Sequence, residues 1–175
     1  MKESSRKSNL TFQCIDAIEV SLYIEKQGMV FYEKASSLVI DPRVKHIFTQ
    51  LAKEEKEHIQ TLNVKAKFLQ PAVSKRSEIR RQVDTFIAYE LSGKVFPLVT
   101  GHEADIGDIK SDLEALDVGI ESEKRSISVL TKLMKEEKKI DVRAIFSHLI
   151  VEEKKHLEAL EEIKKAVISE TTAGI

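Results

Sequence analysis

The chain has 175 residues, of which 33% are charged, 42% hydrophobic and 6% aromatic, with one Cys, three Pro, six Gly and no Trp. That length can bury a core without disulfide staples, and so little Gly and Pro argues against a turn-dense sandwich or barrel. The net charge of −1 gives no electrostatic case for nucleic acid or an anionic membrane, and no apolar run nears the ~18 residues of a membrane span.

Residues Met1 to Leu10 are polar and lack the apolar stretch of a signal peptide; they and about 169–175 read as short disordered ends of one domain covering 1–175. The expectation is a soluble, cytoplasmic, all-helical protein. Cys14 stands alone, which excludes a disulfide framework or a thiolate metal site within one chain, and it reads as a small buried apolar residue. The first helical pattern runs from about Thr11 to Val39, with Ile15, Ile18, Leu22, Met29 and Tyr32 on a series stepping by three and four. The second opens at Asp41-Pro42, an N-cap followed by proline at the first helical position, and ends near Pro71. Its apolar stripe is Val44, Phe48, Leu51 and Leu62.

A long connection, Pro71 to Gly107, follows. Within it Ser77 to Leu91 has helical spacing and Gly93 is a stop, which predicts a short crossover helix covering one end or side of a bundle. The third long helix follows Asp108, with a capping box at Ser111-x-x-Glu114 and the stripe Leu113, Leu116, Ile120, Ile127, Leu130 and Met134. The fourth starts near Asp141 and carries Val142, Phe146, Leu149, Leu160 and Ile163.

Shifted back by 98 positions, the second half overlays the first without a gap. Ile15, Ile18 and Leu22 fall on Leu113, Leu116 and Ile120; Val44, Phe48, Leu51 and Leu62 fall on Val142, Phe146, Leu149 and Leu160. A duplicated helical hairpin is the simplest account, giving four helices around one core.

The stripes contain charges where the period demands apolar residues. The first helix places Glu25 there and the third places Glu123; the second places Glu55 and His58, and the fourth Glu153 and His156. All six obey the same shift, and a Glu and a His three apart share one helix face. One Glu-x-x-His arises by chance in a chain this rich in Glu, but two at equivalent buried positions are harder to dismiss. His46, His102 and His148 have no such partner. Unpaired buried carboxylates cost several kcal/mol each. Two divalent cations would balance four carboxylates and leave two neutral imidazoles to complete the set; the alternative is a buried polar network without metal.

In this pattern, one Glu from each of two helices and Glu-x-x-His from each of the other two, the chain resembles ferritin-like di-iron carboxylate proteins. Glu25-Lys-Gln-Gly-Met-Val-Phe-Tyr32, Glu54-Glu55-Lys-Glu-His58, Glu123-Lys124 and Glu152-Glu153-Lys-Lys-His156 are similar to the rubrerythrin family, over nearly all of Phe12 to Ala166. The resemblance implies a ferritin-like four-helix bundle holding two iron ions, with manganese or zinc as substitutes. Their ligands would be Glu25, Glu55, His58, Glu123, Glu153 and His156, with Glu55 and Glu153 bridging. It further implies an oxidoreductase that uses hydrogen peroxide or dioxygen, in a homodimer or small homo-oligomer, with no nucleic-acid or membrane partner. The other readings are ferritin-like ferroxidase and iron handling, or a non-catalytic metal-binding helical module.

Two departures matter. Many rubrerythrins carry a Cys-rich rubredoxin relay, and with Cys14 alone this chain implies a separate donor such as rubredoxin or a flavoprotein. The family's peroxidases have a further carboxylate one turn beyond the third-helix ligand; here that position is Ser126, and its repeat mate is Gly28. Tyr32 matches a family tyrosine near the cluster, a catalytic candidate whose phenol would hydrogen-bond a ligand or relay an electron; the alternative is a core residue with a satisfied hydroxyl. Glu54 and Glu152 read as solvent-exposed helix charges, or else as outer partners of the histidines.

Overall fold

Among residues 12–69, 77–97 and 109–173, which the computed structural model describes, there are five α-helices and no strand. They are α1 (Cys14–Leu38), α2 (Pro42–Leu69), α3 (Ser77–Phe86, continued by a π-helical turn Ile87–Leu91), α4 (Asp112–Glu136) and α5 (Ile140–Ala173). The expected N-terminal tail lies outside the described residues. Of the expected disordered C-terminal end, residues 169–173 are instead the last part of α5, which no Gly or Pro interrupts before Gly174, and residues 174–175 lie outside the described residues.

The helix starts follow local chemistry. Asp41 Oδ1 accepts from the Arg43 amide at 2.8 Å, so the Asp-Pro pair opens α2 as its sequence predicts. Ser111 Oγ accepts from the Glu114 amide at 3.2 Å, but the returning Glu114 carboxylate takes the Lys110 amide at 2.8 Å, one residue further out than a standard capping box. Gly93 adopts φ 68° just after the crossover helix, a left-handed conformation that suits glycine at a helix stop.

Contacts between helix ends give the topology. Phe12 donates its amide to Glu137, and the Cys14 thiol donates to Asp141, so α1 and α5 begin at the same end. Cys14 is therefore only partly buried and hydrogen-bonded, not a core thiol. At the other end the Asp112 carboxylate accepts from the amides of Ile40 and Asp41 at 2.8 and 2.7 Å, so α2 and α4 also begin together. Parallel α2 and α4 require a connection that travels the length of the bundle, which is what the crossover with α3 supplies.

The core is continuous through all four long helices. Phe31, Tyr32, Phe48 and Phe96 form a mostly edge-to-face aromatic cluster with ring centroids 5.1–6.2 Å apart. Phe96 comes from the connection, and Leu91, Val95 and Phe96 are all buried. The crossover is thus part of the core as well as a cover.

Asp112 holds the chain entering α2 through two charge-assisted hydrogen bonds, worth together about 2 kcal/mol. Asp112→Ala should lower the melting temperature by roughly 4 °C, measured by circular dichroism, without changing helix content.

Candidate metal centre

Each candidate ligand sits at a position where its helix's apolar stripe turns toward the bundle axis. Glu25 comes from α1, Glu55 and His58 from α2, Glu123 from α4, and Glu153 and His156 from α5. Five of the six are at most 1% exposed, while the His58 side chain is 25% exposed.

The structure brings all six together as two groups. Glu25, Glu55 and His58 form one, and Glu55, Glu123, Glu153 and His156 form the other; in each, one ligand atom per residue lies within 4.8 Å of the rest. Glu55 belongs to both. Glu153 falls in one group only, and its Oε1 accepts from Ser126 Oγ at 2.6 Å. Of the two carboxylates expected to bridge, the geometry shares Glu55 alone.

Both histidines turn Nδ1 inward. His58 Nδ1 is 3.1 Å from Glu25 and 3.9 Å from Glu55. His156 Nδ1 is 3.4 Å from Glu55, 3.6 Å from Glu123 and 3.4 Å from Glu153. The two imidazoles stack with centroids 5.8 Å apart and planes 16° from parallel.

Buried polar atoms without partners test whether these residues suit cations. Glu55 Oε2, Glu123 Oε2, Glu153 Oε2 and both ring nitrogens of His156 are sealed from solvent and have no hydrogen-bond partner. Each such atom costs roughly 1–3 kcal/mol. Carboxylate oxygens and imidazole nitrogens converging without donors are a donor set for a divalent cation, and its chemistry suits iron or manganese. The residues fit.

Electrostatics give the same result. Burial, then the neighbouring Glu25, pushes the Glu55 carboxyl well above its usual range. Burial, then Glu153, raises Glu123 to about 8. Burial also works against the Glu153 carboxylate, but the adjacent His156 imidazole, 3.4 Å away, outweighs it and its pKa falls. His156 likewise loses from burial, yet the carboxylates of Glu123, Glu153 and Glu55 raise its pKa. Hydrogen bonding to Glu25, opposed by burial, raises His58. Without a cation the cluster holds itself together by retaining protons.

Several neighbours shape the site. Tyr32 is fully buried and its hydroxyl donates to Glu123 Oε1; burial, then the Glu123 charge, keeps the phenol protonated. It is a core residue whose hydroxyl is satisfied by a candidate ligand. Gly28 faces Glu55: a Cβ there would lie 2.8 Å from Glu55 Oε1 and 3.2 Å from Phe96 Cζ. Phe96 thus packs beside the centre, although no periodicity in the sequence singles it out. Glu54 and Glu152 are not simple surface charges. Glu54 Oε2 lies 3.4 Å from His156 Nε2, and Glu152 Oε2 lies 4.0 Å from His58 Nε2.

A duplicated antiparallel hairpin with a long crossover and a buried Glu/His centre defines a ferritin-like bundle of the carboxylate-metal type. The family model for rubrerythrin matches residues 16–164, and the chain belongs to the rubrerythrin family. Neither a curated protein nor a solved structure gives a significant match.

Gly28→Ala should improve intrinsic helix propensity by roughly 0.5–1 kcal/mol yet displace the Glu55 carboxylate. Calorimetric titration with Mn2+ should show affinity falling about tenfold or more, while the fold persists. The raised carboxyls also set a pH dependence. A raised pKa in the folded state stabilises most below its unfolded value and is lost as pH rises through the folded one. Cation-free protein should therefore lose stability as pH rises through the Glu123 value of about 8. Thermal melts between about pH 6 and pH 9 check this, and saturating Mn2+ should abolish the decline because the cation replaces the protons.

Proposed function

We propose that the protein is a di-iron oxidoreductase that uses hydrogen peroxide or dioxygen as oxidant and takes electrons from a donor outside these 175 residues, such as rubredoxin or a flavoprotein. The observation that carries this reading is Glu55, shared by two carboxylate–histidine groups, which is what two adjacent cations need. Membership of the rubrerythrin family supports it.

A ferrous pair would supply two electrons to a bound oxidant, which zinc does not. The chain's own residues do the rest. The four carboxylates would offset the charge of bound cations, and His58 and His156 would each offer them Nδ1. Tyr32 holds a proton at its hydroxyl against Glu123 Oε1, a candidate source for a reduced oxygen atom nearby. Phe31, Phe48 and Phe96 are buried around Tyr32, the donor to Glu123, and keep bulk water from that hydroxyl. His58 is the partly exposed ligand, with Glu152 of α5 4.0 Å from its Nε2, and a small oxidant would approach the centre on that side. Cys14 is the sequence's one cysteine, so an internal Cys-ligated relay is not available within it. No helix among the described residues is long and apolar enough to cross a membrane. On this reading the protein works in the cytoplasm as a homodimer or similarly small oligomer.

A second reading, ferroxidase-type iron handling, is favoured by Ser126, which stands where the family's peroxidases place another carboxylate. Anaerobic ferrous loading followed by stopped-flow oxidation separates the two. The oxidoreductase reading predicts about two irons per chain and faster oxidation by peroxide than by dioxygen. Iron uptake far above two per chain would favour storage. Glu55→Ala and Glu153→Ala should each lower iron affinity at least ~10-fold; unchanged binding in both would remove the site assignment.

A further inference from the structure

The shift of 98 residues that overlays the two hairpins places Ser126 on Gly28 and Glu153 on Glu55. Within each hairpin the first of these residues lies beside the second, so equal treatment of the two carboxylates would give a symmetric centre. They are treated unequally. Ser126 is fully buried, and its hydroxyl donates to Glu153 Oε1 at 2.6 Å. Gly28 has no side chain with which to do the same for Glu55. A hydroxyl that donates to a carboxylate away from water forms a strong bond with no competitor. It fixes one oxygen of Glu153 and leaves the other, Oε2, 3.4 Å from His156 Nδ1 and without a partner.

The two groups of ligands differ in the same direction. Glu55, Glu123, Glu153 and His156 form the larger one, and every one of them carries a sealed polar atom without a hydrogen-bond partner. In the smaller group of Glu25, Glu55 and His58, Glu25 and His58 already satisfy each other at 3.1 Å, and the His58 side chain is 25% exposed. A cation entering the larger group relieves atoms that are otherwise buried and unpaired. One entering the smaller group finds fewer residues, must first separate Glu25 from His58, and has to share Glu55.

We propose that Ser126 is a positioning residue that makes the two cation positions unequal: by holding Glu153 beside His156, it gives that position four residues and leaves the His58 position three. The His156 position fills first and retains its cation. The His58 position fills second, binds less tightly, and is where a cation exchanges with solvent. This rests on the two-cation reading above and adds to it an order of loading. Without the serine hydroxyl, Glu153 regains a second oxygen for a cation and the duplicated centre returns toward symmetry.

The test is a titration of the metal-free full chain with Mn2+, followed by calorimetry and by electron paramagnetic resonance. Isolated bound Mn2+ gives a resolved hyperfine pattern, which an adjacent second Mn2+ abolishes by coupling. In the parent protein the isolated signal should rise to about one equivalent and give way to coupled pairs only with the second. The second dissociation constant should exceed the first by roughly 10- to 100-fold. Ser126→Ala should narrow that ratio by roughly 10-fold, with coupled pairs already present at about one equivalent. Ser126→Thr, which keeps the hydroxyl, should behave as the parent. Ser122→Ala is the control, because this buried serine on the same helix donates to Val118 O at 2.8 Å; its loss should leave both constants unchanged. His58→Ala should remove the second step and keep the first, whereas His156→Ala should weaken the first. The proposal is overturned if the parent fills both positions together, if Ser126→Ala keeps the parent ratio, or if Ser122→Ala narrows it as much. It is also overturned if His156→Ala leaves the first step intact, or if a folded Ser126→Thr matches Ser126→Ala; should the threonine variant not fold, the Ser126→Ala and Ser122→Ala comparison decides. A parent that never shows coupled pairs, even at saturating Mn2+, would instead overturn the two-cation reading, and this proposal with it.

Discussion

Four carboxylates have been moved from water to the middle of a helical bundle, and most of the architecture answers to that. Glu25, Glu55, Glu123 and Glu153 are buried together, one per long helix, with two imidazoles between them. Their mutual repulsion and desolvation would be prohibitive for four bare charges. Protons relieve it in the absence of a cation, as the raised Glu55 and Glu123 carboxyls show. Two divalent cations would relieve it more fully, since their charges would sum to the opposite of the four carboxylates. Fold and function are joined at this point: the residues least suited to a core are affordable only as ligands or as acids.

The duplication explains the near-symmetry of the centre, and its breaks explain the individuality of each half. Gly28 and Ser126 are repeat mates, and both serve a carboxylate on a neighbouring helix. Gly28 makes room for Glu55 by having no side chain; Ser126 donates to Glu153. One carboxylate is left free to be shared between groups while the other is tied back. Tyr32 and its mate Leu130 break the symmetry again, placing one hydroxyl on the Glu123 side and an aliphatic group opposite. Phe96 has no counterpart in the repeat, because it comes from the connection between the hairpins.

The helices, their starts and the six polar intruders were legible in the sequence because each leaves a periodic or positional mark. Asp41-Pro42 reads as a helix start, and Glu55 and His58 interrupt a regular apolar series. Other features leave no such mark. Nothing in the local sequence says that Phe96 packs beside Gly28, since that contact joins segments far apart in the chain. The inward orientation of Nδ1 and the crossing of Glu54 to His156 depend on helix rotation and pairing, which composition does not encode. The run of α5 to Ala173 was missed for a simpler reason: polar residues near a terminus resemble a frayed end, yet no helix breaker stops them before Gly174.

The proposed two-cation centre turns on Glu55, the residue common to both carboxylate–histidine groups. Crystals grown with Mn2+ and measured for anomalous scattering would locate the cations directly. The geometry predicts two peaks per chain about 3.5–4 Å apart, with Glu55 between them, one beside His58 and the other beside His156. A single peak, or a pair that leaves Glu55 uncoordinated, would contradict it.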